Sequence, residues 1–95
     1  MRNYEVMYII KPEVEEEKVT ALMEKFKSVV EEKGAEVTKL DKWGKRRLAY
    51  EINKIKEGIY VLMQFKAEPA ASAELDRVMK INDDIVRHMI IREGE

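Results

Sequence analysis

Gly44-Lys45-Arg46-Arg47-Leu48-Ala49-Tyr50-Glu51-Ile52, followed after a short polar stretch by Ile59-Tyr60-Val61-Leu62-Met63-Gln64-Phe65, reads as two strands in direct succession. That doubling decides the fold. The second segment alternates Ile59, Val61, Met63 and Phe65 with Tyr60, Leu62 and Gln64, the period of two that a strand with one core face requires. The first extends back to Ala35 and is dense in charge, which suits an edge strand, and Gly44 inside it marks a bend or bulge. Asn53 to Gly58 reads as the hairpin loop, longer than the tightest two-residue turn.

On the N-terminal side, Arg2 to Ile10 alternates Tyr4, Val6, Tyr8 and Ile10 with Asn3, Glu5, Met7 and Ile9, so both faces carry apolar residues as in a central strand. Lys11-Pro12 ends it, because proline has a fixed φ and no N–H for the ladder. Glu15 to Lys33 places Val19, Leu22, Met23, Phe26, Val29 and Val30 at helical spacing, with acids in the first turn and Gly34 as a left-handed cap. On the C-terminal side, a second helix over Ser72 to Lys80 carries Leu75, Val78 and Met79. Asn82-Asp83-Asp84 then turns the chain into a last strand from Ile85 to Arg92. The order βαββαβ is the α+β, ferredoxin-like arrangement, a four-stranded antiparallel sheet with two helices on one face and the first and third strands central. If Tyr4, Val6, Tyr8 and Ile10 face the helices, the open side carries Met7, Ile9, Leu62, Met89 and Ile91. Such a patch fits a protein partner.

The 95 residues have room for a single domain over 1–95, and 45% hydrophobic with 39% charged residues describes a folded, well-solvated chain. The absence of Cys removes disulfides, thiolate metal sites and cysteine nucleophiles together. No signal peptide opens the chain, and no apolar run approaches the ~18 residues of a membrane span, so the expected location is cytoplasmic. Enzyme chemistry is poorly provided for. One His, Ser28 and Ser72 in predicted helices, and no Gly-rich phosphate loop or metal-ligand spacing leave no catalytic constellation, no cofactor and no small-molecule substrate. His88 shares parity with Ile90 and reads as a buried or rim residue, and Trp43 as a packing anchor for the bend.

Charge is segregated. From Lys39 to Lys56 the seven cations Lys39, Lys42, Lys45, Arg46, Arg47, Lys54 and Lys56 meet two anions, Asp41 and Glu51, a balance of +5 in a chain of net charge -1. A basic edge strand can be no more than solvated edge. Clustering, the two loop lysines and the interleaved Tyr50 favour phosphate neutralisation with stacking on an unpaired base.

The run Gly44-Lys45-Arg46-Arg47-Leu48-Ala49-Tyr50-Glu51-Ile52 resembles the signature of the bacterial small-subunit ribosomal protein six family. Arg2-Asn3-Tyr4-Glu5, Gly34-Ala35, the Gly58 hairpin and Asp83-Asp84-Ile85-Val86-Arg87 resemble that family in order and spacing too, so the similarity spans Arg2 to Arg92. Glu51 departs from it, standing where many relatives have proline. The resemblance implies a non-enzymatic ribosomal protein that binds small-subunit ribosomal RNA together with small-subunit ribosomal protein eighteen. It assigns RNA contacts to Arg2, Lys45, Arg46, Arg47, Tyr50, Lys54 and Arg87, and partner contacts to Met7, Ile9, Leu62, Met89 and Ile91. A general single-stranded RNA-recognition module of the same topology is the alternative, disfavoured because the open face of the third strand offers one aromatic only.

Overall fold

The computed structural model describes residues 1–52 and 54–93. Along the chain run β1 (Arg2–Ile10), α1 (Glu16–Glu31), β2 (Glu36–Ile52), β3 (Ile55–Ala67), α2 (Pro69–Lys80) and β4 (Ile85–Glu93). The strands form one antiparallel sheet in the order β2-β3-β1-β4, which puts β1 and β3 in the centre and the basic β2 at an edge, as the sequence predicts.

Local chemistry explains the boundaries. Pro69 opens α2 three residues before the predicted start, since the N–H that proline lacks has no intrahelical acceptor at that position anyway. Gly34 closes α1 at φ +84°, and Ala35 N–H returns to the Val30 carbonyl at 3.1 Å. Asp84 N–H donates to the Asn82 side chain at 2.9 Å, the short Asx-type turn that launches β4.

The hairpin corrects the sequence reading. Ile55 already pairs with Ile52, so the expected loop from Asn53 to Gly58 is mostly strand, with Asn53 itself outside the described residues. Lys54 makes the reversal possible by entering the left-handed region at φ +68°. Ile55-Lys56-Glu57 showed no apolar alternation because this part of the ladder pairs only with β2, beyond the last β1 partner at Ile59.

The core lies between the sheet and the helices. Tyr4, Val6, Tyr8 and Ile10 of β1 and Ile59, Val61, Met63 and Phe65 of β3 pack with Val19, Leu22, Phe26 and Val30 of α1 and Leu75, Val78 and Met79 of α2. Tyr4 stacks on Phe65 with ring centroids 5.4 Å apart, and Tyr8 meets Phe26 edge-on at 5.2 Å. On the sheet's flank, His88 Nε2 lies 2.7 Å from Asp76 Oδ1, tying β4 to α2, and within α2 Lys80 Nζ lies 2.9 Å from Asp76 Oδ2. These bonds, first that of His88 and then that of Lys80, hold the Asp76 carboxyl below its ordinary pKa. His88 is thus the rim residue expected.

Within this core the Tyr8 hydroxyl has no hydrogen-bond partner among the described residues, and burial pushes its phenol well above the usual pKa. A buried hydroxyl without a partner costs about 1–3 kcal/mol. Tyr8→Phe keeps the ring against Phe26 and removes that cost, so urea denaturation is expected to show a stability gain of about 1 kcal/mol.

Candidate nucleic-acid interface

Cross-strand pairing arranges the face opposite the helices in rows. Asp41, Leu62, Met7 and Met89 form one row, Gly44, Tyr60, Ile9 and Arg87 the next toward the hairpin, and Lys39, Gln64, Glu5 and Ile91 the next away from it. The five predicted partner residues therefore share one side of the sheet. Their exposure differs: Ile9 and Leu62, flanked by strands on both sides, are 7% and 5% exposed, whereas Met89 and Ile91 on the edge strand are 47% and 49% exposed. A cavity of about 170 Å³ sits among Met7, Ile9, Tyr60, Arg87 and Met89.

Two bulges decide where the β2 cations point. The ladder skips Thr38 and Trp43, with register shifts between Val37 and Lys39 and between Lys42 and Gly44. Gly44 accommodates the second at φ +88°. Trp43, predicted to anchor the bend, is instead 42% exposed, its indole N–H donating to Asp41 at 3.1 Å. A bulged residue sits outside the alternation and need not enter the core. Beyond it, Lys45 pairs with Ile59 and Arg47 with Glu57, positions of helix-side parity, while Arg46 pairs with Gly58 on the open side. The triplet is therefore split across the edge, and all three side chains are exposed. Lys42, on the helix side, reaches Glu16 of α1 at 3.2 Å, so one of the acids on that helix is answered within the chain.

Gly58 is required where it stands, because a Cβ there would run into the Ile9 side chain. Past it the hairpin changes character. Between the Arg47–Glu57 and Ile52–Ile55 pairs, the four residues Leu48 to Glu51 stand against Lys56 alone, and β2 arches. Leu48 is buried in the arch, and Tyr50 is carried across to β4, where Arg87 Nη1 donates to its hydroxyl at 2.8 Å.

Lys45, Arg46, Arg47, Tyr50, Lys54 and Arg87 thus gather at the hairpin end of the sheet. Arg2 does not join them. It pairs with Ala67 at the far end of β1, roughly 27 Å away at about 3.3 Å per residue. Lys56, expected among the cations of the hairpin loop, faces the arch and belongs with the group. At the Arg2 end, Glu5 and Glu93 meet on the open side of β1 and β4. A hydrogen bond with Glu5, then desolvation and the Glu5 charge, raise the Glu93 carboxyl above its ordinary pKa. Among the described residues there is no group of three or more His, Asp or Glu fit to hold a metal ion, and no helix is long and apolar enough to cross a membrane.

Residues 3–92 match the family described as Ribosomal protein S6. The chain belongs to the ribosomal protein S6 family. It is 56% identical over 95 residues to small ribosomal subunit protein bS6 of Carboxydothermus hydrogenoformans, covering 100% of this chain and 99% of that one. To the bS6 of Exiguobacterium sibiricum it is 58% identical over 93 residues, with 98% of each covered. The crystal structure of 30S ribosomal protein S6 from Thermotoga maritima superposes with a TM-score of 0.92 at 34% identity, covering 97% of this chain and 87% of the other. The family consists of ribosomal proteins, not enzymes, and shares the ferredoxin-like architecture described above.

In this S6-family chain the carboxyl pair at the Arg2 end has a stability signature. Because the folded-state pKa of Glu93 lies above its ordinary 4.5, the pair costs nothing below that pH and destabilises the fold as pH rises through the folded value. Glu93→Gln is therefore expected to melt higher than the parent chain at pH 7 and at the same temperature at pH 3.5 to 4, a difference that thermal scans at the two pH values will read.

Proposed function

We propose that this chain is a structural component of the small ribosomal subunit and binds small-subunit ribosomal RNA together with small-subunit ribosomal protein eighteen. The observation that carries the reading is a basic hairpin end standing beside an apolar band on the open side, on a chain similar along its length to proteins named as small-subunit components. Its place is the bacterial cytoplasm, where ribosomes work.

On this reading Lys45, Arg46, Arg47, Lys54 and Arg87 neutralise phosphates, and each contact releases counterions from the RNA. Arg2 reaches RNA only where the nucleic acid also passes the far end of the sheet. Met7, Ile9, Leu62, Met89 and Ile91 receive the protein partner. The accessible apolar area resides in Met89 and Ile91, while Ile9 and Leu62 form the floor between them and β2. Burying a large apolar side chain fully contributes about 1.5–3 kcal/mol, so these two half-exposed residues supply about 1 kcal/mol each. A near-neutral chain suits a complex in which a basic partner shares the phosphate contacts. The carboxyl pair of Glu5 and Glu93, at the end of the apolar band, is placed to meet such a partner's cations. Tyr60 is the one aromatic on the open side of β1 and β3, too few for a general RNA-recognition module, whose central strands present several stacking rings.

Binding to the central domain of small-subunit ribosomal RNA over a salt series tests the RNA half. Arg46→Ala and Arg47→Ala are each expected to lower the slope of log K against log salt by about 0.9 on duplex-like RNA or about 0.7 on single strands. An unchanged slope would return both residues to ordinary solvated edge. For the partner half, Met89→Glu is expected to abolish association with protein eighteen while the circular dichroism spectrum stays that of the folded chain. Association that survives the change would refute this face.

A further inference from the structure

The arch in β2 is a feature that phosphate neutralisation alone does not use. Four residues facing one leave a concavity of about 250 Å³, lined by Arg47, Leu48, Ala49, Tyr50, Glu51 and Lys56. Its composition is uneven in a useful way. Leu48 is buried and makes an apolar floor, Tyr50 is 61% exposed, and Arg47 and Lys56 bring positive charge to the same rim. Tyr50 is also held: its hydroxyl accepts from Arg87 at 2.8 Å, so the ring is tethered at its polar end to a strand that lies 37 residues on. A large aromatic fixed in this way loses little side-chain freedom when a second flat ring stacks on it. Glu51, on the same wall, repels an anion and leaves a phosphate to Arg47 and Lys56.

We propose that this concavity is a subsite for one unpaired nucleotide, whose base stacks on Tyr50 and whose phosphate is taken by Arg47 and Lys56. The inference rests on the RNA-binding reading above and adds to it a preference for an extruded or single-stranded base at the hairpin tip. A volume of about 250 Å³ falls just short of the roughly 300 Å³ at which sites for drug-sized ligands begin, which suits a single flat ring. An acidic peptide would satisfy the cations but would leave the exposed ring without a stacking partner.

The test compares a short labelled oligoadenylate with an abasic oligomer of the same length and charge, by fluorescence anisotropy on the full chain. The parent protein is expected to prefer the oligoadenylate by about 5- to 150-fold, the range that base–aromatic stacking supplies. Tyr50→Leu is expected to erase that preference, and Tyr50→Phe, which keeps the ring and cuts only the bond to Arg87, to retain most of it. Lys56→Ala is expected to weaken both oligomers alike and to lower the salt slope by about 0.7. Equal binding of the two oligomers by the parent, a preference that survives Tyr50→Leu, or displacement of oligoadenylate by an acidic peptide at equal concentration would overturn the subsite. If ribosomal RNA binding still depends on Arg46 and Arg47 in that event, the subsite alone falls. If no salt-dependent RNA binding is seen at all, the underlying reading falls with it.

Discussion

Two helices can cover one face of a four-stranded sheet, and in this chain the central strands are apolar on both. Tyr4, Val6, Tyr8 and Ile10 find the helices; Met7, Ile9 and Leu62 find only their strand neighbours. Every other arrangement follows from that imbalance. On the covered side the core is closed by two aromatic pairs, Tyr4 with Phe65 and Tyr8 with Phe26, and the uncovered side is left with a band whose edge members, Met89 and Ile91, remain half in water. Polar groups stand at its two ends, arginine and tyrosine at the hairpin and paired carboxyls at the other. An open face of this kind is tolerable for a protein whose working state is a complex.

Much of this is legible in the sequence, for a simple physical reason. In β1 and β3, and in β4 from Arg87 onward, the side chains alternate without interruption, so residue parity alone assigns the faces: the expected helix-side set is the observed core, and the five expected open-side residues do lie together. β2 resisted. With Thr38 and Trp43 bulged out, helix-side positions pass from Val37 to Leu40 and Lys42 and back to Lys45 and Arg47, so parity counted along the sequence loses its meaning twice. Gly44 announced one of the bulges through its left-handed preference, but nothing in Thr38 announces the other. The end of the hairpin was missed for a different cause. Ile55 to Glu57 pair with β2 alone and have no core to face, hence no apolar pattern to betray a strand.

The candidate site divides along the same line. Charge clustering identified Lys45, Arg46 and Arg47, because like charges adjacent in sequence stay near one another whatever the fold does. Arg87 joining Tyr50 is a contact across 37 residues, which composition could suggest only through the family resemblance. Arg2 was grouped with them by chain resemblance and charge, yet strand length keeps it at the far end of the sheet. Lys56 gained its place from the arch, a register irregularity with no local sequence mark.

That arch has a further consequence. From Gly44 to the Arg47–Glu57 pair the hairpin runs in step with the sheet, and Gly58 is held to its identity by Ile9. Past that pair the strands are out of step already, so a residue inserted or deleted between Leu48 and Glu51 changes the span of the arch without turning a single core side chain to the wrong face. The molecule thus contains a length adjuster, insulated from its interior, at the place where it would reach outward. Relatives can differ in the shape of that tip while sharing the same packed body.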